Sequence, residues 1–295
     1  MNTKSAMITI AGRPNVGKST LTNYLVGEKI AIVSNKPQTT RNRICGIVTR
    51  GNTQFVFVDT PGYHRARTKL GDYMVNVARE SIADVDLTIL VVEPIAAIGP
   101  QEEGLLERIQ SSHCPAVLAI NKIDTVEKDK LLEVIALYAQ KANFDAIVPI
   151  SAKTGDGVAD LLSVCEKYAA EGPFLFPEDA TTDQPERQVM AEIIREKLLW
   201  CLEREVPHGT AVEITTFSER DNGIIDIDAT IYCEKASHKG IIIGKHGEML
   251  KKISSMARTD CEKFMGTKVY LTTWVKVKEN WRDSDFMVRN FGYSE

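Results

Sequence analysis

No stretch of this 295-residue chain holds the roughly 20 consecutive apolar residues that a bilayer-spanning helix needs. The opening residues Met1-Asn2-Thr3-Lys4-Ser5 lack the apolar core of a secretory signal and run straight into a strand pattern. A cytosolic chain, at most peripheral to a membrane, is therefore expected. Cysteine is sparse. Cys45, Cys114, Cys165, Cys201, Cys233 and Cys261 are scattered, and no two share C-x-x-C spacing. That excludes the common thiolate metal sites and suits small buried thiols in a reducing compartment. Excess positive charge is missing too: the net charge is −4. A chain-wide nucleic-acid binder is excluded, and any RNA contact must come from a local patch. Internal repeats and low-complexity tracts are absent. What is present is ordinary globular composition, 43% apolar and 26% charged, in a length that suits two domains.

The first half alternates short apolar runs, at 7–11, 55–58, 87–92, 116–120 and 146–150, with amphipathic stretches at 19–26, 69–83, 101–111, 128–142 and 157–170. Near-continuous apolar runs suit strands covered on both faces, and the β-α alternation predicts an α/β fold with a mostly parallel sheet and ligand loops at the strand carboxyl ends. Gly51-Asn52 predicts one antiparallel hairpin. From Gly172 the composition changes. Pro173, Pro177 and Pro185 stand among acids, which is linker chemistry, with Phe174 and Phe176 able to pin it to a surface. The expected division is 1–172, a linker over 173–188, and 189–295. The last part reads as a helix over 189–205, strands over 210–217 and 224–233, a glycine turn opening a helix near 244–264, and a strand over 268–277, a smaller α+β domain.

Gly12-Arg13-Pro14-Asn15-Val16-Gly17-Lys18-Ser19-Thr20 contains G-x-x-x-x-G-K-[ST] between a predicted strand and a predicted helix. Backbone N–H groups of such a loop wrap phosphate oxygens, and the helix N-terminus adds its positive end. Lys18 is expected to bridge β- and γ-phosphates, and the Ser19 hydroxyl to bind Mg²⁺. Asp59-Thr60-Pro61-Gly62 follows the next strand. Asp59 is placed to hold the metal, and the Gly62 amide to sense a γ-phosphate. Asn121-Lys122-Ile123-Asp124 ends a later strand. Guanine presents N1–H and an exocyclic amine, and one carboxylate, Asp124, accepts both; adenine would leave it desolvated and unpaired. Asn121 would tie loops together and the Lys122 stem would lie over the base. Ser151-Ala152-Lys153 follows the next strand, where a backbone N–H meets guanine O6.

These five elements in this order resemble a Ras-like P-loop G domain of the translation-factor-related class. The resemblance implies GTP and GDP as ligands, GTP hydrolysis, and a first switch at Pro37-Gln38-Thr39-Thr40-Arg41 in which Thr40 joins Ser19 and Asp59 on Mg²⁺. One position departs from it. Where Ras-like proteins carry a water-orienting glutamine, this chain has Tyr63, so hydrolysis is expected to be slow. The adjacent His64 reads as a solvent-facing loop histidine. Asn15 resembles the phosphate-loop asparagine of potassium-activated relatives, which implies a K⁺ site. Lys18, Thr40 and Gly62 are the expected catalytic groups.

In the last part, Ile243-Gly244-Lys245-His246-Gly247 holds G-x-x-G between an apolar run and an amphipathic helix. Two glycines permit a tight backbone that clamps a single-stranded nucleic-acid backbone. From residue 189 onward acids and bases nearly balance, yet Lys235, Lys239, Lys245, Lys251 and Lys252 cluster around the clamp. The 274–281 segment combines aromatics with Lys276 and Lys278, which leaves base stacking open, but Trp274 reads first as core. The pattern resembles a type II KH domain. The whole chain resembles a family of bacterial ribosome-assembly GTPases that joins these two domains. That resemblance implies single-stranded RNA near the 3′ end of 16S rRNA as partner, a role in 30S subunit assembly, some peripheral inner-membrane association and a monomer. From the residues alone, two other readings stay open: a membrane-linked signalling GTPase whose C-terminal domain docks a protein, and an RNA scaffold with a structural nucleotide site.

Overall fold

A computed structural model describes residues 2–62, 68–81 and 85–293. Tyr63 and His64 lie outside the described residues. The chain forms two compact units: Met1–Ala31, Thr40–Ala66 and Met74–Asp183, and then Ile32–Thr39, Arg67–Tyr73 and Gln184–Glu295. This division differs from the linker boundaries drawn on composition, because residues up to Asp183 belong with the first unit.

The first unit is an α/β layer structure. Its strands are β1 (Lys4–Ala11), β2 (Ile44–Arg50), β3 (Thr53–Asp59), β4 (Leu87–Val92), β5 (Ala116–Ile120), β6 (Ala146–Pro149) and the two-residue β7 (Ala170–Glu171). They form one sheet in the order β2-β3-β1-β4-β5-β6, with β7 pairing β1. All neighbours are parallel except β2 with β3 and β7 with β1. Helices α1 (Lys18–Val26), α2 (Lys69–Glu80), α3 (Pro100–Ser112), α4 (Lys128–Lys141) and α5 (Val158–Cys165) connect them. β4 and β5 are buried at every position, which is why they read as unbroken apolar runs. One core, from Ile8, Ile10, Leu21, Phe57 and Leu161, fills one side of the sheet; another, from Leu90, Leu105, Leu118, Val134 and Tyr138, fills the other. Each large apolar side chain so buried contributes about 2 kcal/mol before entropy is counted.

The proline-rich segment is held by particular bonds. The side chain of Gln54, fully buried, accepts from the Leu175 and Phe176 amides and donates to the Phe176 carbonyl. Phe176 packs on the cluster of Cys45, Val56 and Val58. Further along, the Ile47 amide bonds Thr181 O at 2.9 Å and the Cys45 amide bonds Asp183 Oδ1 at 3.0 Å. The segment thus covers β2, which is an edge strand and would otherwise offer open backbone groups.

The second unit has α6 (Glu186–Cys201), β8 (Ala211–Glu219), β9 (Ile225–Cys233), α7 (Ala236–Ile243), α8 (Glu248–Met265), β10 (Val269–Val277) and α9 (Asp285–Asn290). Its sheet runs β10-β9-β8, with β10 parallel and β8 antiparallel to β9. The apolar run before the glycine turn forms α7. The reading of Trp274 as core is corrected: it is 61% exposed, and Trp281 is the tryptophan inside. Trp274 alternates in phase with Tyr270 and Lys276, the solvent-facing residues of β10, and out of phase with buried Val269 and Val275. Trp281 is completely buried, donates its indole N–H to Gly209 O at 2.9 Å, and packs edge-on to Phe291.

Candidate nucleotide and RNA sites

The loops that follow β1, β3, β5 and β6 converge at the carboxyl edge of the first sheet. Residues 12–17 turn from β1 into α1, whose first residue is Lys18. Its ammonium, almost wholly buried, donates to Gly12 O and Arg13 O, both at 3.0 Å. Burial pulls its pKa down to about 8, with the Asp59 carboxylate acting against that fall. Asp59, at the end of β3, is fully buried, and neither carboxylate oxygen makes a hydrogen bond of normal geometry. Burial pushes its pKa up to about 6; Lys18, Ser19 and the Thr60 amide pull the other way. Ser19 Oγ and Thr40 Oγ1 stand 2.8 Å apart. Two hydroxyls and a buried carboxylate without a hydrogen bond of normal geometry form a hard oxygen donor set, which suits Mg²⁺. Among the described residues no group of three or more His, Cys, Asp or Glu gathers elsewhere.

Thr60 is buried and donates to Ile10 O at 3.3 Å, fixing the turn after β3 to β1. Pro61 is buried as well. Gly62 lies against the phosphate loop, where a Cβ would come within 2.7 Å of the Pro14 nitrogen. The segment expected to sense a γ-phosphate therefore touches the loop expected to bind it.

The base-reading loop is tied to the phosphate loop. Asn121 Nδ2 donates to Val16 O at 2.7 Å, and its Oδ1 accepts from the Ala152 amide at 2.9 Å. One side chain thus links three loops, as the sequence implies. Ser151 Oγ donates to Asp124 Oδ1 at 2.8 Å, which fixes the carboxylate. Ile123 N bonds Ile150 O at 3.2 Å, and Lys153 is exposed at the rim. Lys122 Nζ donates to Asn15 O at 2.8 Å. That bond holds Asn15 in the left-handed region, φ 66°, unusual for a residue with a side chain.

Sequence reasoning missed Glu93 and Glu102. Glu93 directly follows β4 and pairs with both Arg13 and Lys122. Glu102, in the first turn of α3, takes Arg13 Nε at 2.9 Å and caps its own helix through the Gly99 amide. The Arg13 side chain is thereby committed to these two acids. An acid at the end of a buried strand singled out Asp59, and the same rule applied to β4 would have found Glu93.

In the second unit, α7 ends on Gly244, whose backbone at φ 74°, ψ 177° lies in a region essentially confined to glycine. His246 (φ 52°) and Gly247 (φ 81°) are left-handed, and α8 starts at Glu248. Lys235, Lys245, His246, Lys251 and Lys252 are exposed, while Lys239 is half-buried. Ile243 packs partly into the core; Ile241, half-exposed, is the apolar side chain that α7 presents beside the turn.

A phosphate-binding α/β domain joined to a glycine-clamp domain defines a P-loop GTPase with an appended KH domain. The family description "50S ribosome-binding GTPase" matches residues 7–122, and "KH domain" matches residues 205–282. GTPase Era of Ruminiclostridium cellulolyticum is 52% identical over 99% of this chain and 98% of its own, and that of Clostridioides difficile is 50% identical over 99% of each. Among solved structures, the Y63A variant of Aquifex aeolicus Era bound to GDP·AlF4⁻ aligns with TM-score 0.95 and 38% identity, covering 99% of this chain and 100% of that one. A second Era structure, in complex with MgGDPNP and nucleotides 1506–1542 of 16S ribosomal RNA, aligns equally well. The chain belongs to the GTPase Era family and is a GTPase.

Proposed function

We propose that this chain is a Mg²⁺-dependent GTP switch that binds single-stranded RNA, the 3′ region of 16S rRNA, during assembly of the small ribosomal subunit, as a cytoplasmic monomer. The observation that carries the reading is the Gly244–Gly247 turn, ringed by exposed lysines, on the same chain as the buried Asp59 pocket. The Era complex with MgGDPNP and 16S RNA supports it.

Ser19, Thr40 and Asp59 would hold the metal. Magnesium bound there would neutralise charge on the β- and γ-phosphate oxygens. Lys18 sits where it can stabilise the same oxygens, and Gly62, against the phosphate loop, would turn its amide to the γ-phosphate. Asp124, held by Ser151, reads the base. Such a site works by positioning and fixed charge. Asn15 would take a potassium ion beside the transferring phosphoryl. Turnover in potassium buffer should exceed that in sodium by about tenfold, modest beside the 10³–10⁵ of an arginine finger. Equal rates in the two buffers would remove the potassium site from this account.

The segment of the first switch is divided between the units. Thr40 belongs with the first and Ile32–Thr39 with the second. There, the Val33 amide donates to Glu196 Oε1 at 2.9 Å, Trp200 Nε1 donates to Val33 O at 2.9 Å, and Arg195 donates to Thr39 O. Lys36 reaches the carbonyls of Leu199 and Leu202 at the end of α6. Buried Lys197 continues the network to Glu196 at 2.6 Å and to Asp260 on α8 at 2.5 Å. A γ-phosphate that draws Thr40 toward the metal pulls on a segment bonded to the RNA-binding fold. This makes the two ligands linked, and the linkage reciprocal.

Gly244→Ala tests the clamp. The new Cβ would lie 2.6 Å from Met249 Cβ on a backbone that alanine resists, a strain of about 1–3 kcal/mol. At Gly247 nothing lies within 4 Å and the backbone is ordinary left-handed, so Gly247→Ala is milder. By filter binding, RNA affinity should drop about tenfold or more in the first variant and less in the second, with GTP binding unchanged. Undiminished RNA affinity in Gly244→Ala would defeat the assignment and return the protein-docking reading. No observation favours a membrane-linked switch.

A further inference from the structure

We infer that the outward face of β10 is a second RNA subsite, a stacking platform that receives the bases of a strand extending from the glycine clamp. The inference rests on the reading of the clamp as an RNA site. Tyr270 and Trp274 are 60% and 61% exposed; among the other described large aromatics only Phe286, at 70%, is more so. Exposing two rings on one face of an ordered strand leaves apolar area in water without a structural return. The strand fixes their spacing. Four residues apart on one face, they stand about 13 Å from one another at about 3.3 Å per residue. That leaves room for bases on both rings, with one more between them.

The charges fit a polyanion. Lys268 precedes Tyr270 and is 80% exposed; Lys276 follows Trp274 in phase, and Lys278 continues the row. The only ion pair on Lys268 among the described residues is a distant one with Glu262, at 4.0 Å. The neighbouring strand β9 places Asp226 beside Tyr270 and Asp228 beside Thr272. Asp226 is engaged at both oxygens by Arg220, whose guanidinium lies 5.3 Å from the Tyr270 ring centre. A cation thus already flanks one ring. Interleaved aromatics and lysines are the composition of single-stranded nucleic-acid tracks: every base has a face to stack, and each lysine meets a phosphate.

Position relative to the clamp is favourable as well. β10 is an edge of its sheet, unpaired on its far side among the described residues. α8 begins at the clamp and is tied to β10 by the 2.7 Å bond between Ser254 and Thr273 hydroxyls. Thr273 faces α8, out of phase with Tyr270 and Trp274, so the rings stand on the other face of the sheet and a strand leaving the clamp reaches them around the free edge of β10. KH clamps hold about four nucleotides, so a longer strand needs somewhere to go.

The test uses the full chain and two RNAs, a four-nucleotide oligomer that fills the clamp alone and a twelve-nucleotide oligomer. Wild-type protein should bind the longer RNA more tightly, with quenching of tryptophan fluorescence. Tyr270→Ala/Trp274→Ala should lose about tenfold or more of the affinity for the long RNA and none for the short one. Trp274→Phe keeps a stacking face and should keep the affinity. Equal loss for both lengths would mean disturbed folding of the domain and would overturn the platform. So would no loss for either length. Failure of wild-type protein to bind the four-nucleotide RNA would instead refute the clamp reading itself, and the platform with it.

Discussion

Lys18→Ala should release phosphate from GTP at a rate lower by about 10²–10³ in single-turnover measurements, while the folded chain persists. The ammonium is the buried cation of the phosphate loop, held between Gly12 O and Arg13 O and close enough to Asp59 to bear on its titration. Its removal takes away a fixed donor to the oxygens on which charge develops. It also strips Asp59 of the cation that offsets burial. That carboxylate, already pushed up to about 6, would climb further and hold a metal less well. Both effects act on the same step. A rate within a few-fold of wild type would mean that the nucleotide site is structural, and would revive the scaffold reading.

Asp124→Asn should exchange one nucleotide for another. In the proposed reading the carboxylate accepts from guanine N1–H and the exocyclic amine; an amide presents an acceptor and a donor instead. Xanthine keeps N1–H and carries a carbonyl where guanine carries the amine, so it suits asparagine. Affinity for GDP should fall by about 100-fold or more, because the amide donor would face the guanine amine with no acceptor between them. Xanthosine diphosphate should gain binding that wild type lacks, read by competition with a fluorescent nucleotide. Ser151 Oγ, which now donates to Asp124, can donate equally to an asparagine Oδ1, so the loop should keep its shape. Loss of GDP with no gain of the xanthine nucleotide would show a collapsed loop and would leave Asp124 unproven as the base reader.

The nucleotide site was legible in sequence because each motif carries its own context. A phosphate loop between a strand and a helix, and acids or amides at strand ends, need no long-range information. Asn121 bonds residues 105 and 31 positions away, yet its role follows from its motif. Glu93 belongs to no such motif: its partners Arg13 and Lys122 sit in two separate motifs and meet it only where the sheet brings three loops together. The linker's chemistry was visible but not its seat, because one buried side chain, Gln54, fixes it from 121 positions away. Of Trp274 and Trp281, the second is the core residue. Strand alternation does place Trp274 outward, but hydrophobicity outweighed phase in that reading. Trp281 sits in an irregular tail where no period applies, and only its bond to Gly209 and its packing on Phe291 show it to be core.

The split of the first switch between two compact units was not legible at all, since nothing in residues 32–39 says that they hydrogen-bond to a helix more than 150 positions later. It is the feature on which the proposed coupling depends. The most direct measurement is therefore the affinity of the full chain for single-stranded RNA with a non-hydrolysable GTP analogue and with GDP, at one salt concentration. Coupling of the usual size, about 1–3 kcal/mol, predicts affinities that differ by about 5- to 150-fold, with the same factor returned when nucleotide affinity is measured with and without RNA. Equal RNA affinity in the two nucleotide states would contradict the account.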